Sequence, residues 1–149
     1  MTEPIHILVV DDDDVYWTLL TRALHDVSAG STLRPHRLSD GDQVIPYLAE
    51  QLLSPQTTWP QLILLDERMP RLDGTELLPL LKQHPHYRAI PVCIMSSSDQ
   101  ATLISRCYGL GASFFITKPL RYQQLKDKLA GAIAFWSNVA ELPRLIPQA

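Results

Sequence analysis

Five positions in this chain carry side chains able to do chemistry, and each sits at the end of a short apolar run. Asp11 and Asp12 follow residues 5–10, Asp66 follows Leu62, Ile63, Leu64 and Leu65, Ser96 follows residues 92–95, and Lys118 follows residues 113–117. If these ends share one rim, three carboxylates meet there with a hydroxyl and an ammonium. Like charges within about 4–6 Å of one another raise pKa values and repel, so such a cluster needs a cation to stay ionised. Oxygen-only donors select a hard ion. Mg2+ is the physiological candidate, keeping several waters beside one or two carboxylates.

The elements that must position these groups can be read from the pattern of apolar runs. Leu62 to Leu65 is unbroken by alternation and bounded by Pro60 and Pro70, the signature of a parallel strand covered on both faces. Residues 5–10 form a second such run. Residues 33–38 are weaker and contain Pro35, which cannot donate to a ladder and so belongs at a sheet edge. Residues 92–95 and 113–117 complete five strands. Helices are predicted over 15–27, 42–53, 75–83 (with Pro79 kinking it), 99–110 (ended by Gly111) and from about 121 onward. Asp13 and Asp14 suit the solvated start of a helix, where the dipole favours acids. Strands alternating with helices mean a doubly wound parallel sheet, α/β in class, with right-handed crossovers. In the order 2-1-3-4-5 the first and third strands are neighbours, and the crevice at their carboxyl ends is where ligands bind.

Composition sets the frame. At 149 residues, 46% hydrophobic and 19% charged, the chain suits one soluble globular domain. No apolar run approaches bilayer length, no signal sequence is evident, and cytoplasmic localisation with no membrane partner is expected. Cys93 and Cys107 read as buried small apolar residues. A net charge of -3 without a basic cluster argues against nucleic acid as a partner.

Taken together, Val9-Val10-Asp11-Asp12, Leu64-Leu65-Asp66 with Met69-Pro70 and Asp73-Gly74, Ile94-Met95-Ser96, and Ile116-Thr117-Lys118-Pro119 resemble the receiver domain of bacterial two-component response regulators, a flavodoxin-like fold. The resemblance spans about residues 5–129. It implies that Asp66 accepts a phosphoryl group from a sensor histidine kinase. It further implies that Asp12, Asp66 and the backbone carbonyl of Arg68 hold Mg2+, with Asp11 acting through a bound water. Acyl phosphate formation depends on neutralising the phosphoryl oxygens, and Mg2+, Lys118 and the Ser96 hydroxyl would each take one. Ser96 and Phe115 match the family's switch pair: the hydroxyl swings toward the phosphoryl group, and the aromatic fills the space behind it. Phe115 as a plain core residue is the alternative. Leu120 departs mildly from the family pattern.

The expected organisation is a receiver over residues 5–130 and a helical extension and tail over 131–149. The remaining residues are too few for a further folded domain, so signalling by the receiver's own surface is expected. The last helix continues one apolar stripe through Leu125, Leu129, Ala132, Ile133, Trp136 and Val139, with Phe135 beside it. This ending, with Glu141-Leu142-Pro143, is similar to small regulators serving phytochrome-type kinases, so a bacteriophytochrome is the expected partner. A homodimer through Ile133, Phe135, Trp136 and Val139 is also expected, because this stripe outruns the sheet that would cover it. A helix bent back over its own domain, assisted by Pro143 and Pro147, is the alternative.

Three other functions share parts of this pattern. A Mg2+-dependent aspartyl-phosphate phosphohydrolase of the haloacid dehalogenase type uses the same carboxylates but carries a second aspartate two residues after the nucleophile, where Arg68 stands. A flavin module would place phosphate against Asp11 to Asp14, which would repel it. An interaction module without phosphotransfer would have no need for the complete acceptor set. The expected product is therefore not an enzyme acting on outside substrates but a phosphoacceptor that catalyses its own phosphorylation and dephosphorylation.

Overall fold

The computed structural model describes residues 4–28, 32–54 and 58–145. Five strands, β1 (Ile5–Val10), β2 (Leu33–Leu38), β3 (Leu62–Asp66), β4 (Val92–Ser96) and β5 (Phe114–Thr117), pair in parallel in the order β2-β1-β3-β4-β5. Between and after them run α1 (Asp14–Val27), α2 (Val44–Leu53), α3 (Gly74–Gln83), α4 (Ala101–Gly109) and α5 (Tyr122–Asn138). The predicted fold class, order and edge position of β2 are all observed. Pro35 lies opposite Ile7 on the outermost strand, where a missing donor costs little.

Strand parity divides the core. Leu8, Val10, Ile63, Leu65, Val92 and Ile94 point to one side, where α2, α3 and α4 cover them through residues such as Val44, Leu48, Leu77 and Leu81. Ile7, Val9, Leu62, Leu64, Cys93 and Met95 point to the other, under Leu20 and Leu24 of α1 and Leu125 and Leu129 of α5. Both cysteines are buried and free, as expected.

Helix starts are set by side-chain caps. Asp13 accepts from the Val15 and Tyr16 amides at 2.9 and 3.1 Å. Asp73 and Glu76 form a reciprocal capping box at the start of α3, which therefore begins at Gly74 and continues through Pro79. Gly74 is required by close approach: a Cβ there would lie 2.5 Å from the Asp66 carbonyl oxygen. Its amide donates to the Glu67 carbonyl at 2.9 Å, so the end of β3 is clamped to the start of α3. Helix α2 is preceded by a 3-10 turn at Gly41–Gln43, and Gly111, at φ 110°, stops the chain after α4.

The last helix runs unbroken past residue 130, but two positions of its stripe depart from expectation: Ile133 and Trp136 are only 3% and 4% exposed, buried in the α1–α5 core layer with Phe114 alongside. The stripe thus does not outrun its sheet at these two positions, because 17 residues of helix are matched by the second core layer beneath them. Beyond the helix the chain turns back: Leu142 packs against that layer and Leu145 against the α2–α3–α4 layer. Phe135 and Val139 remain exposed. Pro147 lies outside the described residues.

Candidate functional site

Parity carries straight into the rim. Asp11 continues the β1 alternation of Ile7 and Val9, Asp66 that of Leu62 and Leu64, and Lys118 that of Phe114 and Ile116, so all three belong to the α1–α5 side. There they meet. The Lys118 Nζ lies 3.1 Å from Asp11 Oδ2 and 3.1 Å from Asp66 Oδ1, with both carboxylates and the ammonium largely buried. Each of Asp11, Asp12 and Asp66 offers a carboxylate oxygen, and these oxygens lie within 4.8 Å of one another. Asp12 is the exposed member, at the mouth of a cleft that it shares with Asp40, Asp42 and Arg71.

This arrangement leaves negative charge in excess. Burial pushes the Asp66 carboxyl up to about 6, and neighbouring Asp11 adds to the rise while Lys118 only partly opposes it. Burial alone would lower the Lys118 ammonium, but Asp66 and Asp11 outweigh it and raise its pKa. An all-oxygen trio whose central acid is reluctant to ionise fits a hard divalent cation. The Arg68 side chain takes no part; it is exposed and, among the described residues, reaches only Glu67, at 3.6 Å.

Ser96 is placed otherwise than expected. It continues the parity of Val92 and Ile94, so its side chain belongs to the α2–α3–α4 side, as does Glu67 after Ile63 and Leu65. Its hydroxyl donates to Glu67 Oε1 at 3.0 Å and accepts from the Ser98 amide at 3.0 Å, instead of converging with Lys118. Its backbone does touch the other group, because the Lys118 amide donates to the Ser96 carbonyl at 2.7 Å. Phe115 shares this side. It sits opposite Ile94, half-buried, and lines a groove of about 470 Å³ with Tyr108, Lys128 and Phe135.

Three residues escaped the sequence reading. The Tyr16 ring lies beneath Lys118, 4.0 Å from its Nζ, and burial with nearby Asp11 and Asp66 raises its pKa. Its place on the buried stripe of α1, one turn after the acids, was the available signal. Glu67 is visible by parity alone, as the residue after Asp66 on the face of Ser96. Asp40 ties two rim loops together by accepting from the Arg71 and Leu72 amides at 3.1 and 3.0 Å. Burial acts to raise its pKa, but these backbone donors outweigh burial and lower it. Nothing local in the sequence marks that long-range role.

The sequence profile of the response regulator receiver domain matches residues 7–130. The chain belongs to the response regulator receiver family. Among relatives of this receiver, the response regulator Rcp1 of Synechocystis is 30% identical over 143 residues, covering 94% of each chain. A Mn2+-bound structure of Rcp1 superposes with a TM-score of 0.77 at 28% identity, over 95% of this chain and all of that one. The phosphorylated cyanobacterial phytochrome response regulator RcpA reaches 0.84 at 30% identity, over 95% of this chain and 100% of that one. The response regulator RPA3017, from red light signaling of R. palustris, reaches 0.83 at 29% identity, over 95% and 99%. Phosphotransfer at an acidic, divalent-metal-binding pocket is the general property of such receivers, and the trio of acids here fits it. No helix among the described residues is long and apolar enough to cross a membrane.

Proposed function

We propose that the receiver accepts a phosphoryl group on Asp66 from a phosphohistidine of a sensor kinase, of the phytochrome type. The observation that carries this reading is the placement of Asp66 between two acids and within 3.1 Å of the Lys118 ammonium. In the transfer an Asp66 carboxylate oxygen forms a bond to phosphorus as the phosphorus–nitrogen bond breaks, and the departing imidazole keeps the electron pair and later takes a proton from water. Lys118, already seated between Asp11 and Asp66, needs only a short shift to pair with a phosphoryl oxygen. Asp12, Asp66 and the Arg68 carbonyl would hold Mg2+, with Asp11 acting through water, and the ion would neutralise the remaining phosphoryl charge. Hydrolysis of the acyl phosphate by water at the same site returns the resting protein, so the chain turns over its own phosphoryl group and no external substrate. The Arg68 side chain supplies no acid where the phosphohydrolases keep an aspartate.

The phytochrome link is supported by the likeness to RcpA and RPA3017 along nearly the whole chain, α5 included. We assign the receiver proper to residues 5–130, with 131–149 as an extension, and place the protein in the cytoplasm with its kinase. Output passes through the surface of β5, α4 and α5, with Ser96 and Phe115 as the switch. A homodimer through the last helix rests on the exposed Phe135 and Val139, not on the buried Ile133 and Trp136. Incubation with acetyl phosphate and Mg2+, followed by intact mass measurement, tests the central reading. The intact protein gains one phosphoryl group, and Asp66→Asn gains none.

A further inference from the structure

Consecutive residues of a strand face opposite ways, so the residue after a phosphoacceptor points toward the neighbouring switch face. Here that residue is Glu67, an acid where an apolar side chain would be the unforced choice for a site only 9% exposed. Its main chain is pinned on both sides: its amide donates to the Met95 carbonyl at 2.9 Å and its carbonyl accepts from Gly74 at 2.9 Å. The carboxylate therefore has little freedom except about its own side chain. Among the described residues, the one buried donor on it is the Ser96 hydroxyl, 3.0 Å from Oε1, and Ser96 itself is 2% exposed. The other oxygen has, among the described residues, only the exposed Arg68 Nε at 3.6 Å.

We infer that Glu67 is a positioning residue that holds Ser96 in the resting orientation and so competes with the phosphoryl group on Asp66 for the Ser96 hydroxyl. The inference rests on the reading of Asp66 as phosphoacceptor. A hydroxyl bound to a buried carboxylate makes a charge-assisted hydrogen bond, roughly twice as strong as a neutral one. Its loss also leaves the carboxylate short of a donor in a place water reaches poorly. Both effects oppose the swing of Ser96 toward Asp66. Phe115, on the same face, can fill the vacated space only after Ser96 has left Glu67. The acid thus sets how much of the phosphorylated protein adopts the switched state, without itself touching the phosphoryl group.

The test is the affinity for beryllofluoride, which occupies an aspartyl phosphate site, measured calorimetrically with saturating Mg2+ on the intact chain. Four proteins form a cycle: the natural sequence, Glu67→Ala, Ser96→Ala and the double variant. Removing the acid also removes a negative charge near the ligand, and that effect is the same with or without Ser96. The expected result is binding about tenfold tighter on Glu67→Ala when Ser96 is present and changed by no more than about twofold when it is absent. Glu67→Gln, which keeps the size and one acceptor oxygen, is expected to fall between and guards against a folding defect in Glu67→Ala. Equal factors in the two backgrounds, or weaker binding on Glu67→Ala with Ser96 present, overturn the inference. If the natural protein neither binds beryllofluoride nor gains a phosphoryl group from acetyl phosphate, the Asp66 reading falls and the inference with it. Normal phosphorylation without coupling between Glu67 and Ser96 overturns the inference alone.

Discussion

At one rim the two faces of a single sheet are built from opposite materials. Toward α1 and α5 stand Asp11, Asp66 and Lys118, charged groups in mutual contact and short of positive charge. Toward α2, α3 and α4 stand Ser96, Glu67 and Phe115, a hydrogen-bonded pair beside an aromatic at a groove. Strands β3 and β5 supply members of both sets, at positions of opposite parity. At Asp66 and Glu67 the two sets are separated by one residue of register, and a change that disturbs one face need not disturb the other. The only backbone hydrogen bond described between the lysine and the serine is the Lys118 amide to the Ser96 carbonyl.

The comparison breaks most visibly on the charged face. Asp66→Asn is expected to abolish phosphorylation outright, and Lys118→Ala to slow labelling by acetyl phosphate about 10²-fold, since a preorganised cation at the transferring group is lost. Quenched time courses read by intact mass check both.

Next comes stability without metal. With a folded pKa of about 6 against an ordinary 3.8, Asp66 binds its proton more tightly in the native state. Its contribution is most favourable below pH 4 and is lost as pH rises through 6, after which the full cost persists. In chelator, Asp66→Asn should therefore be more stable than the natural protein by about 3 kcal/mol at pH 7.5, with the difference vanishing near pH 3.5. Urea melts at the two pH values measure it.

A smaller effect sharpens the charged face further. Tyr16→Leu removes the ring beneath Lys118 and is expected to slow acetyl phosphate labelling by about three- to tenfold, whereas Tyr16→Phe keeps the ring and stays within about twofold. Equal loss in both variants would assign the role to the hydroxyl, which is buried without a hydrogen-bond partner among the described residues.

The smallest effect expected is on association. If the dimer forms through Phe135 and Val139, then Phe135→Ala with Val139→Ala weakens it while leaving the fold intact, because both side chains are exposed. Light scattering across micromolar concentrations reads the mass, and a monomer for the natural protein removes the dimer from consideration.

The strands and their order were legible because buried parallel strands leave unbroken aliphatic runs such as Leu62 to Leu65, and Pro35 marked the edge. The charged trio was legible for the same reason, each member closing such a run. Ser96 was located correctly along its strand, but treating the rim as one surface ignored which way its side chain faces. Ile133 and Trp136 were misjudged on a related ground: an apolar stripe reports that a helix face is covered, not by what. Here their own sheet and Phe114 cover them. Asp40 was invisible because its partners lie 31 and 32 residues away.

The placement of Pro35 bears on how copies of this protein can meet. The outer edge of β2 presents Arg34, Pro35 and His36 to solvent, with Arg37 turned inward onto Trp17 and Asp14. A strand arriving from a second copy would find the row of donors interrupted and positive charge facing positive charge. Sheet extension across that edge is thereby disfavoured, which leaves the opposite edge at β5 and the helical surfaces as the ground on which copies of this receiver can meet.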